Sequence, residues 1–261
     1  GSTADSSMCR FAVIGMGKLG AQELNYVSDV DLIYVVEPAD GTTDVQKALR
    51  VGARMALTLQ RVCQSVIPGV DEPTLWQIDT ALRPEGKDGP LVRRLDSHLD
   101  YYRRWAESWE FQALLKARCV AGDRDLGRDY VDGTRPVVWS ASTRRNFVND
   151  CQEMRRRVES LIPEDLRDRE IKLGCGGLRD VGSRVRRRRP FNGGPDNGRR
   201  WAGTLPAPRC PSKGANGSGK RARDWAEASR FERVPELGHR RWSLKRPHLF
   251  PNLGQATPAA L

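Results

Sequence analysis

The sequence is poor in the side chains that build soft-ligand metal centres. It holds three histidines, His98, His239 and His248, and six cysteines, Cys9, Cys63, Cys119, Cys151, Cys175 and Cys210, with no Cys-x-x-Cys pair among them. Such spacing signals neither a zinc site nor a disulfide framework, and the thiols are expected to stay reduced. Long apolar runs are missing too: no stretch approaches the roughly 18 residues of a membrane span, and residues 1–10 lack the apolar centre of a secretion signal. A cytoplasmic protein with no membrane partner is the expectation.

Acidic residues are scarce in one region only. From Gly182 to Leu261 there are 15 Arg and 3 Lys against 5 Asp and Glu, whereas residues 1–181 carry 26 basic and 28 acidic residues. The formal charge of +11 therefore says nothing about the partners of the first two thirds. Beyond Val181, Arg186-Arg-Arg-Arg189 and then Gly, Pro, Asn and Ser with scattered Trp show no sustained period of either kind. Residues 182–261 are expected to be an Arg/Gly/Pro-rich tail, disordered or frameshifted rather than an evolved domain. Interleaved Arg and Trp make an RNA-binding arm the weaker alternative, so nucleic acid is not an expected partner.

The rest of the chain has clear periodicity. Phe11 to Ile14 is a short apolar run ending at glycine and reads as a buried strand. Lys18 to Tyr26 can make a short helix, and the β-branched and aromatic run from Asp31 to Val36 reads as a second strand. Ala48, Val51, Met55, Leu59 and Val62 recur at helical spacing within Val45–Val66. Ile67 to Pro73 has turn chemistry, and Leu75 to Leu82 returns to an extended pattern. Helices follow, one around Leu95 to Ala106, one around Phe111 to Leu115 and one over Phe147–Leu161. The layout is a strand-rich α/β unit over residues 1–89, then a helical extension over 90–181.

Two patterns compete in residues 11–37. Gly15-x-Gly17-x-x-Gly20 between a strand and a short helix, with Glu37 some way on, matches the dinucleotide template of a nicotinamide-dependent oxidoreductase. Against it stand Asp29 and Asp31, which would sit at a buried parallel strand at considerable desolvation cost. On a strand, residues i and i+2 share a face, so Asp29 and Asp31 reach one place. Paired carboxylates repel unless a cation lies between them, and Mg²⁺ is commonly held by one or two carboxylates with phosphate oxygens and water. Asp79, in Trp76-Gln-Ile-Asp79-Thr-Ala-Leu-Arg83, is placed to supply a third carboxylate from a neighbouring strand.

Four blocks in order resolve the choice. Gly15-Met-Gly-Lys-Leu-Gly20 with Glu23-Leu-Asn-Tyr and Ser28-Asp-Val-Asp-Leu, then Leu82-Arg-Pro-Glu-Gly86, Trp109-Glu-Phe-Gln-Ala-Leu-Leu-Lys116-Ala-Arg118 and Ile171-Lys-Leu-Gly-Cys-Gly-Gly-Leu-Arg179-Asp180 resemble the glutamine synthetase adenylyltransferase and adenylyl-removing enzymes of bacteria. The resemblance implies a nucleotidyltransferase-like α/β (α+β) fold, a small mixed sheet with helices. It implies removal of AMP from an adenylyl-tyrosine by phosphorolysis, or its attachment from ATP, with Mg²⁺ or Mn²⁺ as cofactor and ATP, ADP and phosphate as substrates or products. Glutamine synthetase, a PII-type signal protein and glutamine are the implied partners and effectors. The last block looks more like the removing unit than the attaching one.

By position, Asp29, Asp31 and Asp79 would be the catalytic metal ligands. Gly15, Gly17, Lys18, Gly20 and Ser28 would hold phosphate, and Arg83, Lys116 and Lys172 would neutralise its charge, although Arg83 could equally brace a turn. Ala21 and Cys175 depart from the family pattern. After Asp180 and Val181 the family continues with an acidic, apolar helix where this chain turns arginine-rich.

Overall fold

The computed structural model describes residues 7–24, 28–66, 74–141 and 146–165. Its centre is a mixed sheet of five strands: β1 (Cys9–Gly15), β2 (Val30–Pro38), β3 (Ile78–Asp79), β4 (Val92–Arg93) and β5 (Arg118–Gly122). The order is β3, β2, β1, β5, with β4 also pairing with β2. The helices are α1 (Gly17–Gly20), α2 (Val45–Gln64), α3 (Leu95–Arg104), α4 (Ser108–Leu114), α5 (Arg124–Ala141) and α6 (Phe147–Ser160).

Strand β1 pairs with β2 antiparallel, from Cys9 opposite Pro38 to Gly15 opposite Leu32. This overturns the dinucleotide reading, because that template requires the two strands around the glycine loop to run parallel. Glu37 is also occupied elsewhere: its Oε2 accepts from Arg94 Nε at 2.9 Å and its Oε1 from the Leu95 amide at 2.8 Å. A carboxylate expected on a ribose instead secures the first turn of α3.

The β-branched run of β2 is buried on both faces. Val30, Leu32, Tyr34 and Val36 form one core with Val13 of β1 and Ala48, Val51 and Ala56 of α2. Gly52 is required there, since a Cβ would lie 2.5 Å from a Val36 methyl. On the opposite face Ala12, Ile14, Ile33 and Val35 are fully buried, and α3 and α5 pack on that side. Asp123 ties α5 to β1: it accepts from Arg10 Nε at 2.7 Å and from the Asp125 and Leu126 amides at 3.0 and 2.9 Å, capping the helix start.

The helix α2 returns the chain so that β3 and β4 lie parallel to β2 along the same edge, β3 at Val30–Asp31 and β4 at Tyr34–Val35. The extended pattern of Leu75–Leu82 thus yields only a two-residue strand. Cys9, Cys63 and Cys119 carry free thiols. Among the described residues no helix is long and apolar enough to cross a membrane. Residues 1–24 and 28–145 form one compact unit, so the strands and the helices to Ala141 belong together. The other unit contains α6, which carries an internal ion pair between Arg155 and Glu159. The turn at Ile67–Pro73 lies outside the described residues.

Candidate active site

Because β1 runs against β2 and β5, its last residue, Gly15, lies beside the first residues of both. Gly15 pairs with Arg118 of β5, and Val30 and Asp31 of β2 pair with Ile78 and Asp79 of β3. The glycine loop, Asp31, Asp79 and the Lys116–Arg118 segment therefore meet at one end of the sheet.

Asp31 and Asp79 are register partners in parallel strands, so their side chains leave the sheet on one face about 5 Å apart. Asp31 is half-buried and Asp79 exposed. One oxygen of Asp79 accepts from the Ala81 amide at 2.7 Å, which fixes its carboxylate at the head of the following turn. Asp29 is exposed, just ahead of β2, and Ser28 beside it is half-buried.

The loop after β1 folds down on Asp31. The Met16 amide donates to the Asp31 carbonyl at 2.9 Å. Gly17 has φ +51°, and a Cβ there would lie 2.2 Å from Asp31 Oδ2. Glycine is required twice over, by backbone conformation and by the carboxylate beneath it. Gly20 is needed for space alone, as its Cβ would lie 1.9 Å from the Lys116 carbonyl. The helix expected over Lys18–Tyr26 is a single turn, Gly17–Gly20, its register kept by bonds from the Gly20 amide to Met16 O at 2.8 Å and from Glu23 to Lys18 O at 2.8 Å. A single turn cannot sustain itself on propensity, so it is held by what it packs against.

Lys116 departs from the picture of a solvated lysine. It is buried, and its Nζ lies 3.4 Å from Oε2 of Glu23, whose side chain is equally buried. Arg118 donates from Nε to Gly20 O at 3.1 Å and from Nη2 to Leu19 O at 2.9 Å. Glu23 and Arg118 are residues of the candidate site to which sequence reasoning assigned no role, although both fall inside the blocks that carried the resemblance. Nothing in spacing alone foretells a side chain that bonds a carbonyl almost a hundred positions away.

Arg83 is engaged in its own loop. It donates to Thr80 O and Thr80 Oγ1, both at 2.8 Å, to Lys87 O at 2.9 Å and to Gly89 O at 3.1 Å. It closes the excursion between β3 and β4 and so braces the turn that fixes Asp79. These bonds are those of the turn brace, one of the two roles expected of Arg83. In the third block, Glu110 closes the start of α4 in a reciprocal cap with Glu107 while Phe111 and Leu114 are buried. That block is mostly scaffold for Lys116 and Arg118. Lys172 and the block around it lie outside the described residues.

No three of the described His, Cys, Asp and Glu side chains are grouped closely enough to hold a metal ion by themselves. The Asp31 and Asp79 pair meets a lesser demand, that of an ion held by one or two carboxylates and completed by phosphate and water.

A mixed sheet with a glycine loop seated on a strand aspartate, and a second aspartate level with it on the next strand, places the molecule in the nucleotidyltransferase-like α/β class. Residues 2–132 match the family model described as glutamate-ammonia ligase adenylyltransferase, and the chain belongs to that family. It is 61% identical over 259 residues to the bifunctional glutamine synthetase adenylyltransferase/adenylyl-removing enzyme of Bifidobacterium longum (strain NCC 2705), covering 99% of this chain and 24% of that one. Enzymes of the same name from Streptomyces avermitilis and Mycolicibacterium smegmatis are 49% and 46% identical over 95% and 93% of this chain. The chain spans about a quarter of the length of these curated relatives.

These matches bear on the tail. The Bifidobacterium match runs through nearly the whole chain, and residues 182–261 lie outside the described residues.

Proposed function

We propose that this chain carries a catalytic unit that regulates glutamine synthetase by moving an adenylyl group at a tyrosine, in the direction of removal by inorganic phosphate. The observation that carries the reading is the register of Asp31 with Asp79, with Gly17 seated on Asp31. The curated relatives are named for both attachment and removal. Removal is favoured by the resemblance of Lys172 to Arg179 to the removing unit.

In this reading Asp31 and Asp79, with Asp29 just ahead of the same strand as a further carboxylate, would hold Mg²⁺ or Mn²⁺ together with phosphate and water; when bound the ion supplies charge neutralisation at phosphorus and a more reactive attacking oxygen. The loop from Gly15 to Gly20, with Lys18 and Ser28, receives phosphate. The amides of Met16, Gly20 and Ala21 are engaged with Asp31 O, Met16 O and Gly17 O, so contact falls to the loop's central residues. Inorganic phosphate attacks the adenylyl phosphorus, the bond to the tyrosyl oxygen breaks, and ADP leaves with the tyrosine restored. In the attaching direction the tyrosine attacks ATP instead. Lys116, which is buried, and Lys172, which lies outside the described residues, add positive charge for the reacting phosphate. A cytoplasmic location, and control by a PII-type protein and glutamine, complete the proposal.

The test is formation of ADP from adenylylated glutamine synthetase with Mg²⁺ and phosphate. The parent chain is expected to turn over and Asp29→Asn/Asp31→Asn to lose it. Equal rates in the two would remove the carboxylates from the chemistry and the proposal with them.

A further inference from the structure

We propose that Arg118 is a positioning residue that clamps the glycine loop over Asp31; the consequence for catalysis rests on the function proposed above, the clamp itself does not. Three independent contacts converge on it. The Arg118 backbone is the register partner of Gly15, where the loop begins. Its guanidinium reaches across to Leu19 O and Gly20 O, where the loop ends. Between these two points Gly17 rests on the Asp31 carboxylate, within 2.2 Å of where its Cβ would be.

One residue thus grips both ends of a six-residue segment whose middle touches the strand aspartate. The carbonyls it holds end a single-turn helix; Leu19 O also accepts from the Gln22 amide at 3.1 Å, so the guanidinium is its second donor. Two donors of a planar fork bridge two consecutive carbonyls, a task that the single point charge of a lysine cannot share. Lys116, two residues earlier, grips the next part of the chain through Glu23. Gly20 lies so close to the Lys116 carbonyl that the loop has no room to slide toward β5. The segment Lys116–Arg118 therefore sets the height of the loop above Asp31.

The test is amide hydrogen exchange on the full 261-residue chain, comparing the parent with Arg118→Gln and Arg118→Lys. The reporters are the amides of Gly20, Gln22 and Glu23, bonded inside the loop, with the β1–β2 ladder as the control. Both variants are expected to exchange on the order of tenfold faster at the reporters, the loss of a charge-assisted pair of bonds, with the ladder unchanged. Unchanged reporters in either variant would overturn the clamp. The catalytic consequence is read separately: KM for inorganic phosphate is expected to rise about tenfold or more with kcat less affected, and Lys is not expected to rescue it. Rescue by Lys would mean that Arg118 acts by charge on the substrate, and would overturn positioning. A parent chain with no turnover would refute the proposed reaction while the exchange rates still decide the clamp.

Discussion

Gly17 lies directly on Asp31: a Cβ at residue 17 would come within 2.2 Å of the Asp31 carboxylate, at a backbone φ of +51°. The loop and the carboxylate occupy one space, so neither can change without the other. Gly17→Ala is expected to cost about 1–3 kcal/mol from the left-handed backbone and the contact together. The carboxylate would be pushed aside as well, so urea unfolding should show the stability loss while ADP formation falls far more than the folded fraction does. Gly20→Ala, which meets the Lys116 carbonyl in place of a carboxylate, should lose about 1–3 kcal/mol by overpacking.

Glu37 separates the two readings of the glycine pattern. Its carboxylate bonds Arg94 and the start of α3. Glu37→Ala should lower stability by about 1 kcal/mol, the usual worth of a helix-terminus acceptor, with KM for ADP-forming turnover unchanged. A rise in KM for adenylylated glutamine synthetase without loss of stability would contradict the assignment.

His98 predicts a pH limit near neutrality. Its ring is buried between Tyr102 and Tyr130, with Nε2 3.4 Å from Tyr34 O. Burial, and then the nearby Arg93 charge, outweigh that contact and hold the imidazole down at about 3. The unfolded chain binds this proton at about 6.5, so between about 6.5 and 3 unfolding takes up a proton and stability falls as pH drops. His98→Phe, which keeps the ring packing, should flatten the change in urea midpoint between pH 7 and pH 5. A slope equal to that of the parent would place the titration elsewhere.

Asp123 acts in a lower window. Arg10 first, then the Leu126 amide, hold its carboxyl at about 2. Its stabilisation is therefore complete above the ordinary carboxylate range and is lost as pH falls through that range toward about 2. Asp123→Asn keeps an acceptor for the start of α5 but removes the charge. The parent should be modestly more stable at pH 7, because the pair is about one-third exposed. That advantage should vanish by pH 2; a constant gap would contradict the ion pair.

Two strands and the long helix were legible from their apolar residues: Phe11 to Ile14 and Asp31 to Val36 as short runs, Ala48 to Val62 at helical spacing. The helix α5 was not foreseen, since Gly127, Gly133 and Pro136 interrupt its pattern and only its tertiary packing reveals the buried Leu126, Tyr130, Thr134 and Val138. Strand β5 was missed because Arg118, Cys119 and Val120 are only half-buried, and so give little alternation to read. At the site, Asp31 and Asp79 were legible from spacing and from a carboxylate set among apolar neighbours. Lys116, Arg118 and Glu23 depended on long-range partners, which no local pattern encodes. Arg83, read from sequence as either a phosphate-neutralising group or a turn brace, donates to four oxygens of its own loop.

The central claim is that Asp31 and Asp79 serve one ion. It is tested most directly by titrating Mn²⁺ into the chain in the presence of ADP, followed by electron paramagnetic resonance, for the parent, Asp31→Asn and Asp79→Asn. The account predicts that each substitution weakens Mn²⁺ binding by about tenfold or more, as loss of a ligand should. Parent-like Mn²⁺ affinity in Asp79→Asn, with Asp31→Asn impaired, would contradict it.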